Sequence, residues 1–420
     1  MNFWLVLAVN SVTFGGLLFL LSAGFSLIFG LMRIPNLTHG SLFMLGAYFG
    51  ATFITGVFGV PMNFWLAAIL ATLLVAILGA LTERLLLRKL PGDALAQVLV
   101  TLGLSFMAAD FCLMVWGGDP VNVETPDGLG GFMRVGVAAF PLYRVAIIAI
   151  AAVFAVALWL LLDRTRLGAM IRAGVDDPDM ARVVGIRVSQ LFTIVFALGA
   201  GLAGFAGIIG GPILSVYPGL DQDMLPLALV VVILGGTGSL AGMIVGAIVI
   251  IASNQVLDST SPPNVARVLF YLALIAAVYF TMRGSWVRLV AAFAGTVVFG
   301  LVVHAIVDAV WSRGTAGQVT SGGFLTGLIR NWVLLPTNPG RLAVYGYLLM
   351  IVCIIALVQL KGWWRLVVLV PTLYLTAFVW ENLLVQQPAV TRYVLFGALL
   401  IAVMTIRPQG LFGTAKVEIG

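Results

Sequence analysis

The sequence predicts an all-α polytopic membrane protein of about 10–12 transmembrane helices, with a broken or re-entrant segment near 224–257. Three observations predict it. The 420-residue chain is 62% hydrophobic and 9% charged, where a soluble domain carries about a quarter charged residues. Apolar runs of roughly 18 residues or more, each enough to cross a bilayer, recur along its whole length. Forty-eight glycines suit helices that pack closely in lipid, where small residues let backbones approach.

Apolar spans are predicted at 4–31, 40–58, 63–82, 95–116, 143–162, 191–211, 224–257, 266–282, 287–309, 342–360, 363–380 and 391–406. The first has no basic leader and no cleavage site, so it is expected to be a retained helix. Arginine and lysine orient the rest. Arg84, Arg88 and Lys89 place 83–94 inside, and the acidic, Pro- and Gly-containing stretch 117–142 outside. The island at 163–190 returns inside, and Asp221 with Asp223 marks the next outside loop. Arg283 with Arg288, Lys361 with Arg365, and Arg407 with Lys416 all stay inside only if 224–257 enters and leaves on one side. That span is long for one crossing and carries Gly235-Gly236-Thr237-Gly238-Ser239 near its middle. Irregular backbone at membrane depth is tolerated where protein or a water-filled cavity covers it.

The net charge of +6 follows from arginines in inside loops and is no nucleic-acid signal. Cys112 and Cys353 lie in apolar runs and form no metal spacing or disulfide framework. Only three lysines occur, Lys89, Lys361 and Lys416, and there is no P-loop pattern, so nucleotide is not bound here as a P-loop ATPase binds it. No catalytic constellation appears, and the chain reads as a non-enzyme without cofactor or metal.

Three places carry polar chemistry. In the link Gly24 to Tyr48, Pro35 removes a backbone donor while Asn36, Thr38 and His39 can satisfy freed groups. Interrupted helices with polar residues are where transporters often hold substrate, so Asn36, Thr38, His39 and Gly40 are substrate-path candidates. An ordinary helix-to-helix turn with a satisfied histidine is the equal alternative. Gly235, Gly236, Gly238 and Ser239 join them as a break beside a pathway, against the commoner role of close packing. Asp110 lies mid-span and is a candidate by position, whereas Asp308 and Glu381 lie near span ends, within reach of interfacial water.

The third place is Asp163 to Arg187, with five arginines and four aspartates. Asp176-Asp177-Pro178 reads as a helix start, with an aspartate cap and proline at the first position. Met180, Val183, Val184 and Ile186 give one apolar face, with Gly185 as a stop. A solvated inside loop would explain the arginines but not the aspartates, the capped start or the apolar face. A protein-docking helix explains all of them.

Four stretches in order resemble a known family. IPNLTHGSLFMLGAY (34–48), the 172–211 stretch, ILGGTGSLAGMIVGA (233–247) and RPQGLFG (407–413) are similar to the signatures of the H-type (LivH-like) permeases of branched-chain amino-acid ABC importers. The match covers about 1–283 and 391–413. It implies a transmembrane permease subunit of the bacterial inner membrane, pairing with a homologous M-type permease. Two cytoplasmic ATPase subunits that bind ATP, and a periplasmic solute-binding protein, complete the assembly. Carried onto this sequence, the ATPase-coupling residues are Arg172, Asp176, Asp177, Met180, Ala181, Gly185 and Ile186.

The sequence departs from the family at Ser41, where the residue after His-Gly is usually acidic, and at 284–390, which reads as inserted transmembrane helices. The expected organisation is a permease core at 1–283, the insertion at 284–390, and a terminal helix with a cytoplasmic tail at 391–420. Six tryptophans of the insertion, Trp286, Trp311, Trp332, Trp363, Trp364 and Trp380, suit interfacial belts. The competing function is a self-contained secondary transporter or channel for a small polar solute such as urea, an amide or a carboxylate. It would need intramembrane charge pairs and no docking helix.

Overall fold

The computed structural model describes residues 2–31, 36–56, 60–135, 138–236, 286–317, 326–360 and 364–384, with 243–244, 246–247, 270–271, 274–275, 278 and 397. The predicted spans at 266–282 and 391–406 lie almost wholly outside the described residues. By packing, the chain divides into one unit of Met1–Ser253 with Ala398–Gly420, and a second of Asn254–Gly397.

In the first unit, α1 (Asn2–Ser26) runs on through a π-helical turn at Leu27–Leu31. Then come α2 (His39–Thr55), α3 (Phe64–Leu85) and α4 (Ala94–Trp116). Side-chain caps fix two starts: Asn63 accepts from the Trp65 amide at 2.9 Å and Asp93 from the Ala96 amide at 2.9 Å. Before α5 (Leu142–Trp159), β1 (Phe132–Val135) pairs antiparallel with β2 (Ala138–Pro141). A π-helical turn at Leu160–Arg164 leads into α6 (Arg166–Asp176) and α7 (Pro178–Val183), then α8 (Val188–Leu214) and α9 (Leu220–Gly235). Helices from the first span to α8 begin and end within about three residues of the predicted spans.

Among the described residues, seven helices are long and apolar enough to cross a membrane. The chain is thus an all-α multi-pass membrane protein. Its hub is α8, which packs most extensively on α3, α2 and α1. Glycine makes this possible. A Cβ on Gly204 would stand 2.7 Å from Val75 Cβ, and one on Gly46 would stand 2.4 Å from the Gly204 Cα. These helices meet backbone to backbone, the close approach that small residues permit in lipid. The hub and α1 are mostly buried, whereas α3, α4 and α5 turn rows of leucine, isoleucine, phenylalanine and methionine outward, as lipid-facing helices do.

Two ties close the end opposite the island. The Tyr143 hydroxyl donates to the Ile209 carbonyl at 2.7 Å. Val121 and Val216 exchange backbone hydrogen bonds at 2.7 and 2.9 Å, joining the stretch after α4 to that after α8.

The second unit contains α10 (Trp286–Val310), α11 (Thr326–Trp332), α12 (Gly340–Gln359) and α13 (Trp364–Val379), the last followed by a π-helical turn. One of its cores gathers Ile329, Val333, Ala377, Phe378, Val379 and Trp380. Here the tryptophan expectation divides. Trp311 and Trp364 are exposed, but Trp380 is buried and stacks on Phe270 with ring centroids 3.9 Å apart. Glu381 is also buried, with the Tyr271 hydroxyl 3.4 Å from its Oε1. Both are buried because the turn after α13 packs against the stretch after α11, where Trp380 joins Val333 in the core and Asn382 donates to the Leu334 carbonyl at 2.8 Å. Trp363 and the Trp286 side chain lie outside the described residues.

Candidate functional site

The link before α2 packs beside the apolar helix α4. Leu37 donates its amide to the Thr101 hydroxyl at 3.2 Å, and Thr101 is on the second turn of α4. Residues 36–38 are not helical, and their freed groups are met locally. Asn36 Oδ1 accepts from the Thr38 amide at 3.1 Å and from the Thr38 hydroxyl. This is what irregular backbone inside a bilayer requires.

His39 is fully buried and its Nε2 is 2.9 Å from the Leu21 carbonyl of α1. Its ring packs edge-on to Phe25 with centroids 5.4 Å apart. Gly40 is where α2 touches α9: a Cβ there would come within 2.7 Å of the Asp221 carbonyl oxygen. One residue further, the Ser41 hydroxyl donates to Asp221 Oδ2 at 3.0 Å and lies 2.8 Å from the Ser105 hydroxyl of α4. Ser105 in turn reaches Asp221 Oδ2 at 3.3 Å. Three helices, α2, α4 and α9, thus converge on one buried carboxylate.

Asp221 is a correction to the sequence reading, which placed it with Asp223 in a loop. Gly219, with φ of +101°, turns the chain into α9 at Leu220, so both aspartates sit in its first turn. Carboxylates are favoured there by the helix dipole. Asp223 accepts from the Tyr217 hydroxyl at 2.5 Å. No pattern local to Asp221 signals its burial, since the hydroxyls that meet it stand on α2 and α4.

The structure brings Asn36, Thr38, His39 and Gly40 together with Ser41, Thr101, Ser105 and Asp221. It does not bring Asp110, which stands exposed on α4, about 140° round the helix from Ser105. Gly235 is buried and ends α9, and Gly236 (φ +89°) stops it. Gly246 lies back beside that end, since a Cβ on it would stand 3.0 Å from the Val231 carbonyl. Gly238 and Ser239 lie outside the described residues.

At the far end of α2, Ala51, Ile54, Thr55, Asn122, Val123 and Glu124 line a cavity of about 310 Å³. Along α2, Ser41 lies about 15 Å from the lining residue Ala51 and about 21 Å from Thr55, at roughly 1.5 Å per residue.

The island forms the second place. α6 buries Ile171 and Gly174 and exposes Arg166, Arg172 and Ala173. Asp177 caps α7, its Oδ1 accepting from the Asp179 and Met180 amides at 3.1 and 2.9 Å, with Pro178 at the first position. Gly185 (φ +88°) ends the segment. Met180, Val183 and Val184 are 62%, 79% and 72% exposed, so the apolar face points away from the protein. Ala181 is turned inward and buried; the short helix needs one side against α8, and this is it. Ile186 is half-buried, and the Asp176 side chain lies outside the described residues. Ion pairs flank the face: Arg182 with Asp179 at 2.8 Å and Arg172 with Asp163 at 3.5 Å.

The family model described as "Branched-chain amino acid transport system / permease component" matches residues 7–278. The chain is 27% identical over 255 residues to the high-affinity branched-chain amino acid transport system permease protein BraD of Pseudomonas aeruginosa, covering 58% of this chain and 82% of that one. It is 24% identical to the corresponding permease protein LivH of Escherichia coli, covering 57% and 82%. It is also 28% identical over 228 residues to the ribose import permease protein RbsC of Escherichia coli, covering 51% and 66%. No solved structure matches the chain.

Proposed function

Because the chain belongs to the family of branched-chain amino acid transport permease components, we propose that it forms the translocation path of an ATP-binding-cassette importer for branched-chain or related amino acids. It is a multi-pass permease subunit of a bacterial membrane, and its relatives are transport permeases and not enzymes. Energy enters at 172–187, where two cytoplasmic ATPase subunits bind and hydrolyse ATP. A homologous M-type permease completes the path, and a periplasmic binding protein delivers the solute to the 310 Å³ cavity. Solute then passes along α2 and α9, by Asn36, Thr38, His39, Gly40 and the Gly235-Gly236 break.

One observation carries the coupling assignment. Met180, Val183 and Val184 form an exposed apolar face on a helix that Asp177 and Gly185 pin at both ends. Apolar side chains in a charged island are a docking surface when they are held outward, and a short helix laid in a partner's groove is a standard mode of recognition. The test is co-expression with the neighbouring ATPase genes, followed by pull-down. Arg172→Glu with Asp177→Lys is expected to abolish ATPase association while the permease still reaches the membrane. Association at the wild-type level would sink the assignment.

A further inference from the structure

We propose that Asp221, with Ser41 and Ser105, is the point on the translocation path that recognises the solute's ammonium group. The proposal rests on the amino-acid importer reading and adds to it a named site.

The geometry is that of a built site. Asp221 is 4% exposed, in a chain whose charged residues are 9% of the total. A carboxylate is costly to bury unless it is paired, so such a residue inside a membrane protein calls for a partner. Two serine hydroxyls supply part of the pairing, at 3.0 and 3.3 Å, both on Oδ2. The other oxygen, Oδ1, is buried and accepts no hydrogen bond among the described residues. No arginine, lysine or histidine forms an ion pair with it among the described residues. The site is therefore a set of oxygen acceptors in which one carboxyl oxygen, Oδ1, has no partner among the described residues.

The chemistry of the unpartnered oxygen selects its ligand. An ammonium carries three N–H donors and no acceptor. Oδ1 offers the charged acceptor, and Ser41 and Ser105 each keep lone pairs on the hydroxyl oxygen. A calcium ion would want six to eight oxygen ligands, and among the described residues no group of three or more His, Cys, Asp or Glu side chains assembles a metal site. Close by in sequence, Asn36 Nδ2 is also buried without a partner, a donor suited to the other end of a zwitterion. Ser105 stands about 17 Å along α4 from Trp116, at roughly 1.5 Å per residue, which is the depth of a midpath site.

The experiment uses the complete assembly, in cells for uptake of radiolabelled leucine and in nanodiscs for thermal unfolding. The nanodisc probes are leucine, isopentylamine (amine without carboxylate) and 4-methylpentanoate (carboxylate without amine). Leucine and isopentylamine are expected to raise the wild-type unfolding temperature and 4-methylpentanoate not to. Asp221→Asn is expected to cut leucine uptake about tenfold or more, the scale of a lost charge-assisted hydrogen bond, and to erase both amine shifts. Asp221→Asn importing leucine within twofold of wild type would overturn the proposal and leave the importer reading standing. A wild type that imports no amino acid would overturn that reading. The isopentylamine shift then decides the site: its loss in Asp221→Asn supports it, and an absent or unchanged shift overturns it. Where Asp221→Asn fails to reach the membrane, Ser41→Ala with Ser105→Ala keeps the carboxylate and decides instead. A leucine shift weakened three- to tenfold supports the site, and an unchanged one overturns it.

Discussion

Two glycines at opposite extremes of crowding show what single residues contribute. Gly204 faces Val75, and a Cβ there would be 2.7 Å from its nearest neighbour, whereas nothing lies within 4 Å of the equivalent point on Gly103. Gly204→Val is expected to destabilise the protein by about 3 kcal/mol or more through overpacking. Gly103→Ala is expected to be neutral or to stabilise by up to about 1 kcal/mol, through helix propensity. Thermal unfolding in detergent reads both, and equal effects would show that α8 is not the packing hub. The island allows a second comparison. Asp177 caps α7, so Asp177→Ala should cost about 1 kcal/mol and fray the docking helix. Asp179 serves an exposed ion pair with Arg182, and Asp179→Ala should cost little; circular dichroism and pull-down together check the pair. The cap, the proline and the glycine stop were legible because they are local chemistry. The inward turn of Ala181 was not, since it depends on where α8 passes.

At the scale of elements, helix existence was legible from apolar run length, and α9 shows where that rule fails. Its apolar stretch begins at Met224, but Gly219 lets the helix start at Leu220 and carry two aspartates, which a hydropathy reading assigns to a loop. Asp221 then becomes buried because α2 and α4 supply hydroxyls, and no local pattern announces a partner 180 residues away. A second non-local device joins the island end of α3 to α8. Glu83 is buried, and Arg88 pairs with it at 3.1 and 2.8 Å while also donating to the Ser189 carbonyl at 2.8 Å. The Thr193 hydroxyl completes the network on Glu83 at 2.7 Å. Arg88 was read as a topology marker, and the structure makes it a clamp at the entry to α8. Removing one partner of a fully buried pair costs about 3–5 kcal/mol, and the Arg88 side chain is 35% exposed, so Glu83→Gln is expected to cost about 2 kcal/mol. A double-mutant cycle with Arg88→Met should recover part of that loss. Strict additivity would show that the pair does not act as a clamp.

The whole molecule carries its family likeness in one part of its length. The family model ends at residue 278, and the packed unit that contains the site, the coupling helices and the α8 hub takes in Met1–Ser253 with Ala398–Gly420. The second unit has its own cores, one built from Ile329, Val333 and Ala377 to Trp380, the other from Val278, Leu289, Ala292, Leu369 and Leu373. A segment that buries its own apolar side chains does not need its neighbour to fold. The polar machinery follows the same division: the Asp221 cluster and the capped helix α7 are made of side chains before residue 236. A chain in which a short Gly/Ser linker replaces residues 254–397, so that Met1–Ser253 and Ala398–Gly420 are both kept, is therefore expected to reach the membrane and to co-purify with the ATPases at a level within about twofold of the full chain. Blue-native electrophoresis and pull-down measure both. A shortened chain that reaches the membrane but fails to hold the ATPases would place part of the coupling surface within residues 254–397. One that is degraded would show that the two units do not fold independently.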